Sequence, residues 1–101
     1  MSVLVIMKFQ GDVAKFHQSM SEHGDQFAKV AEAARASGGG IHHRFGVGDG
    51  YVVAVDEWES VEHFERFSQN PDLQALIAAS GAAPAPPEMI IAQAIGSPDQ
   101  Y

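Results

Sequence analysis

The residues of this chain best suited to chemistry are His43, Asp56 and the single tryptophan, Trp58. They lie in two β-like runs, GIHHRF and YVVAVDEW, joined by the glycine-rich tetrad VGDG. A carboxylate that accepts from one imidazole nitrogen fixes the tautomer and leaves the other nitrogen basic, which is how proteins hold a general base. An indole at the same place offers a flat wall to an aromatic or polycyclic ligand, with its N–H as a donor, and Phe45 offers a second wall. Whether these side chains meet depends on the hairpin turn. With an even loop, opposed residues have numbers summing to an odd value, and opposed residues share a face. A turn at Gly48-Asp49 pairs His43 with Ala54 and Ile41 with Asp56, whereas a turn at Asp49-Gly50 pairs His43 with Asp56 directly. Both put His43, Phe45, Asp56 and Trp58 on one side of the sheet; a three-residue loop would reverse the relation. The plainer reading is that His43 and Asp56 satisfy each other at the rim of a sheet while Trp58 fills core.

His17 is the next candidate, one turn beyond Val13 and beside Phe16, where a helix would turn it toward the sheet and the ligand. A structural histidine bonded to a carbonyl or water is the simpler account of it. His23 sits at a glycine break, His42 points opposite to His43, and His63 is expected to face solvent beside Glu59 and Glu62. Ser60 has no evident base and reads as a helix cap. The triple glycine 38–40 and the VGDG tetrad lack the Lys and Ser/Thr of a phosphate loop and the context of a dinucleotide fingerprint. No histidine pair has the spacing of a preformed metal site, and no cofactor is expected.

The elements that must position these residues follow from periodicity. SVLVIMKF is a short apolar run, read as a strand over about 2–9. Val13, Phe16, Met20, Phe27, Val30, Ala31 and Ala34 recur at helical spacing over about 12–36, with His23-Gly24-Asp25 able to bend or restart the helix and Asp25 as a new cap. Strands are expected over about 40–46 and 51–58. A helix over 60–69 follows with Val61, Phe64 and Phe67 on one face, then a short helix over 71–80 started by Asn70-Pro71. After a stiff APAPP segment, EMIIAQAI forms a last strand, about 88–95. The order β-α-β-β-α-(α)-β makes a single α+β domain, residues 1–101: a ferredoxin-like βαββαβ sandwich, with a four-stranded antiparallel sheet and helices on one face.

Totals narrow the function classes. The 101 residues suffice for one core, and 46% hydrophobic content fits a globular chain. Residues 1–50 carry five acids and five bases, but residues 51–101 carry eight acids against Arg66 alone, within a net charge of −7. No basic stripe exists to neutralise phosphates, so neither nucleic acid nor an anionic membrane is an expected partner. The absence of cysteine and of any long apolar span fits a cytoplasmic protein. The first and last strand runs are apolar at both parities: Val3, Val5, Met7 and Phe9 against Leu4 and Ile6, and Met89, Ile91 and Ile95 against Ile90, Ala92 and Ala94. One helix layer covers one face only, so a homodimer joined sheet to sheet is expected.

The segment DEWESVEHFERF resembles the dimeric α+β barrel superfamily, in particular antibiotic-biosynthesis-monooxygenase-like small proteins, in a strand ending acid-x-Trp-x-Ser followed by a helix with inward aromatics. The resemblance implies a cavity role for Trp58 and a dimer whose two sheets pack as a barrel. Haem-degrading members carry a ligating histidine about one helix beyond the tryptophan; here RFSQNPDLQ has none. The expected function is binding of an aromatic or polyketide-like compound, with cofactor-independent oxygenation or a proton-transfer step as its chemistry. His43 would be base, Asp56 its orienter, and Trp58, Phe45 and His17 the ligand contacts. The alternative is a non-catalytic ligand-binding or assembly dimer, and a third, weaker one is haem or metal binding.

Overall fold

A computed structural model describes residues 1–36 and 39–101; of Ser37 and the triple glycine 38–40, expected to end the helical span over 12–36, Ser37 and Gly38 lie outside the described residues. The elements run β1 (Val3–Gln10), α1 (Val13–Glu22), α2 (Gly24–Ala36), β2 (Gly40–Gly48), β3 (Tyr51–Trp58), α3 (Val61–Ser68), α4 (Pro71–Ala79) and β4 (Glu88–Gln93). The strands form one antiparallel sheet in the order β2-β3-β1-β4. This is the α+β ferredoxin-like arrangement expected from the sequence.

The helical span expected over 12–36 restarts at His23-Gly24, where the sequence allowed a break, and so is two helices. Asp12 caps α1 by accepting from the Lys15 N–H at 3.1 Å. His23 closes α1, and its carbonyl accepts from the N–H groups of Gln26 and Phe27 to start α2. Asp25 therefore sits inside the first turn, where its charge complements the helix dipole, rather than at the cap. The caps expected at Ser60 and Asn70 are both present, accepting from the N–H groups of His63 and Asp72. The last strand stops at Gln93 and leaves Ile95 78% exposed, so it is shorter than expected. Its β1 partner has run out: Val3 pairs with Gln93, and beyond it only Ser2 accepts from the Ala94 N–H.

Alternation along the strands sorts the sheet into two faces. On β3, Val52, Ala54, Asp56 and Trp58 are buried beneath the helices, while Val55 is 45% exposed on the other side. Val5, Trp58 and Phe64 form the densest cluster, with Val3, Met7, Ala34 and Phe67 packed around it. Phe16 and Leu76 bury the inward faces of α1 and α4, but α2 contributes no fully buried residue. The helix layer is therefore held off the sheet beneath α2, and the gap is a cavity. On the opposite face Leu4, Val55 and Ile90 stay exposed.

The hairpin that carries the candidate residues turns at Asp49-Gly50, since Gly48 pairs with Tyr51. Gly50 has φ 79°, a left-handed conformation that glycine adopts without a Cβ penalty. The pairing of His43 with Asp56 follows directly. At its far end the register slips between Gly40 and His42, a bulge that seats Gly40 opposite Trp58. A Cβ on Gly40 would approach Ala34 to 3.2–3.3 Å, so glycine here lets the end of α2 close onto the start of β2.

Candidate functional site

His43 reaches across the hairpin. Its Nδ1 lies 2.6 Å from Asp56 Oδ1. Two residues further along β3, on the same face, Trp58 donates its indole N–H to Asp56 Oδ2 at 3.2 Å. One carboxylate thus ties two ring nitrogens together. An indole N–H can only donate, so Oδ2 is an acceptor, and the ionised carboxylate takes the Nδ1 proton of His43 on its other oxygen. That tautomer leaves Nε2 as a lone-pair acceptor, and no described residue hydrogen-bonds to it. The carboxylate side chain is 7% exposed and the imidazole 45%, so the pair has a buried anchor and an accessible tip.

Aromatic rings continue the wall. Phe45 meets His43 edge-on at 4.5 Å between centroids and Phe16 at 5.1 Å; Phe27 stands 6.1 Å from Phe16 and 6.2 Å from Phe45. Behind Trp58 lie Phe64 at 5.9 Å and Phe67 at 5.1 Å. Together with apolar residues of β1, α2 and α4 these rings surround a cavity of about 550 Å³. Its volume falls in the range that holds small organic molecules, and its lining of apolar side chains with a few convergent polar groups is the usual composition of such sites. A space this large is no packing defect, because close-packed interiors leave few voids larger than a water molecule.

Of the residues singled out from sequence, His43, Phe45, Asp56 and Trp58 all line this cavity. His17 does not. The inward face of α1 belongs to Phe16 and Ser19, both buried, and His17 is exposed with its ring centroid 6.3 Å from that of Phe16. One step along a helix turns a side chain about 100°, enough to carry His17 off the buried face. The Trp58 N–H is also engaged with Asp56 rather than left for a ligand. Its i, i+2 spacing on one strand face is the sign of this in the sequence.

His63 departs from expectation as well, whereas Ser60 is the cap expected of it. His63 Nδ1 lies 2.6 Å from Ser60 Oγ, and its side chain is 28% exposed over Gly39 rather than turned fully to solvent. Ser60 Oγ also accepts from the His63 N–H at 3.2 Å, so the imidazole meets the same oxygen that caps the helix. Several lining residues escape sequence reasoning, among them His42, expected on the face opposite His43, and Ser80 and Arg35. Ser80 donates to the Leu76 carbonyl at 2.6 Å and lies 3.2 Å from the Ser19 hydroxyl, and Arg35 ends the inward edge of α2. Neither has a motif to announce it.

Among the described residues no three His, Asp or Glu side chains cluster as metal ligands, and no helix is long and apolar enough to cross a membrane.

No family model and no curated relative matches the sequence. Solved structures do match the fold. SnoaB, a cofactor-independent oxygenase from Streptomyces nogalater, superposes with a TM-score of 0.68 at 18% identity over 98% of both chains. A monooxygenase from the ActVA-Orf6 gene of Streptomyces coelicolor, solved with Nanaomycin D, gives 0.70 at 19% identity over 99% of this chain and 93% of that one. Rv0793 from Mycobacterium tuberculosis gives 0.64 at 15% identity over 98% and 100%. The likeness is one of fold: the ferredoxin-like α+β arrangement of this chain is shared with these solved structures.

Proposed function

We propose that this chain oxygenates an aromatic, polycyclic phenol-type compound with molecular oxygen and no resident cofactor, using His43 as base and Asp56 as its orienter. The observation that carries this reading is the Asp56 carboxylate shared between His43 and Trp58 at the wall of an apolar cavity. The likeness in fold to a cofactor-independent oxygenase supports it.

The chemistry needs little more than a base and a dry wall. Nε2 of His43 takes a proton from an activated ring methylene or phenol, and the resulting anion passes one electron to oxygen. The substrate radical and superoxide combine at carbon, the peroxide takes back the proton, and loss of water with the remaining C–H proton leaves a carbonyl. In sum, a CH₂ group and O₂ become a carbonyl group and water. The apolar lining raises the anion's energy and so its reducing power, and Asp56 compensates the imidazolium while it exists.

Oxygen uptake by the metal- and flavin-free protein with anthrone or a hydroquinone checks this. The His43→Ala variant is expected to lose about 10²-fold or more of the rate, the usual worth of a positioned base. Its melting temperature should stay at the wild-type value, since the imidazole is 45% exposed. Equal uptake by both proteins would sink the reading.

In the same reading two copies join through the open sheet face, where Leu4, Val55 and Ile90 are 38%, 45% and 60% exposed on adjacent strands. Val55→Lys places a charge within that patch and is expected to shift sedimentation from dimer to monomer.

A further inference from the structure

The lining of the cavity contains one guanidinium. Arg35 stands in the last turn of α2, exposed, and no described carboxylate lies within ion-pair distance of it. The two acids in the same lining are already committed: Asp12 caps α1, and Asp56 holds His43 and Trp58. Arg35 is therefore the cavity's unspent charge, in a chain whose net charge is −7.

The position of its backbone is set by its neighbour. Ala34 packs against the Val5-Trp58-Phe64 cluster and closes onto Gly40, which pairs with Trp58. The last turn of α2, which carries Arg35, thus stands at the same end of the cavity as the His43-Asp56-Trp58 group, whereas Asp12, Gly81 and Ser80 mark the other end, where the Asp12 N–H bonds to the Gly81 carbonyl. A planar donor set with no carboxylate partner, beside a wall of rings, matches a carboxylate carried on an aromatic frame, to which it can bind in bidentate fashion.

We infer that the ligand of this cavity is an anionic aromatic compound, a polycyclic carboxylate, whose carboxylate Arg35 holds at the mouth while its rings lie against Phe45 and the neighbouring aromatics. This deepens the function proposed above and rests on its reading of the cavity as a ligand site. A cation in the last turn of a helix also complements the helix dipole, so its test must read ligand charge rather than fold stability.

Titration calorimetry of the full chain with anthraquinone-2-carboxylate and with its methyl ester provides that reading. The wild-type protein should bind the acid about tenfold more tightly than the ester, the scale of one charge-assisted hydrogen-bonded pair. Arg35→Gln should bring the acid down to the affinity of the ester while leaving the affinity of the ester itself unchanged, and Arg35→Lys should restore part of the preference. Equal binding of acid and ester by the wild-type protein, or a preference that survives Arg35→Gln, would overturn the inference while leaving the cavity a ligand site. Failure of both compounds to bind would overturn it together with the ligand-site reading. Binding with the expected preference but no oxygen uptake would uphold it and remove only the oxygenase chemistry.

Discussion

Two histidines in this molecule make the same contact at the same distance. His43 meets Asp56, and His63 meets Ser60, each through Nδ1 at 2.6 Å. The first pair is separated by 13 residues and made by sheet register; the second is separated by three and made by a helix start. The first has a carboxylate 7% exposed, facing an apolar cavity. The second has a hydroxyl that already receives a backbone N–H, and its imidazole leans 3.8 Å from a Glu59 that is 57% exposed. A short bond to a histidine thus says little about function by itself. What distinguishes the pairs is where the second nitrogen is left: unpartnered beside a cavity in one, near a solvated acid at the surface in the other.

The largest break in this comparison is expected from Asp56. Replacing it with alanine removes the acceptor of two donors at once and leaves the buried Trp58 N–H without a partner. Urea denaturation should show a loss of about 1–3 kcal/mol, and oxygen uptake should vanish. Asp56→Asn sharpens the point. The amide oxygen can still accept from the indole, but its NH₂ then faces Nδ1 and forces the imidazole proton onto Nε2. Most of the stability should return, the rate should not, and nitrogen NMR should report the exchanged tautomer.

Ser60→Ala is the matching change on the other histidine. Loss of the cap should cost about 1 kcal/mol in the same denaturation experiment, with oxygen uptake unchanged. A fall in rate comparable to that of His43→Ala would erase the distinction between the two pairs.

The smallest effect concerns the same helix start. Hydrogen bonding from its own backbone N–H, and then the Ser60 hydroxyl, hold the Glu62 carboxyl below its ordinary value. A carboxylate lowered in the folded state contributes stability that is complete above the ordinary carboxylate range and is lost as pH falls through the lowered value. Carbon NMR should place the Glu62 titration below that of an unstructured glutamate, and Ser60→Ala should move it back upward.

Much of this arrangement is legible in the residues themselves. Alternation in YVVAVDEW puts Asp56 and Trp58 on one face, and an even-numbered turn carries His43 and Phe45 to the same face. These relations are local: a strand has a period of two, a hairpin reflects it, and neither depends on what packs above. The break at His23-Gly24 and the caps at Ser60 and Asn70 are legible for the same reason.

Sequence pattern misleads where one turn of a helix meets the rest of the molecule. The apolar stripe of α1 is visible in it, but the rotation of that stripe against the sheet is not, and a modest rotation separates buried Phe16 from exposed His17. The His63 imidazole turns back to its own cap although a solvent-facing course is equally open to its spacing.

Sequence by itself determined the order of elements, the two apolar parities of the first and last strands and the grouping of an imidazole, a carboxylate and an indole, because each follows from backbone periodicity within a few residues. Tertiary structure alone decided that α2 stands off the sheet, that the resulting gap is a cavity of about 550 Å³, and that Arg35 is part of its lining. Unfilled space belongs to no residue. It arises from how far apart distant elements come to rest, and that distance is set by the packing of side chains remote from one another along the chain.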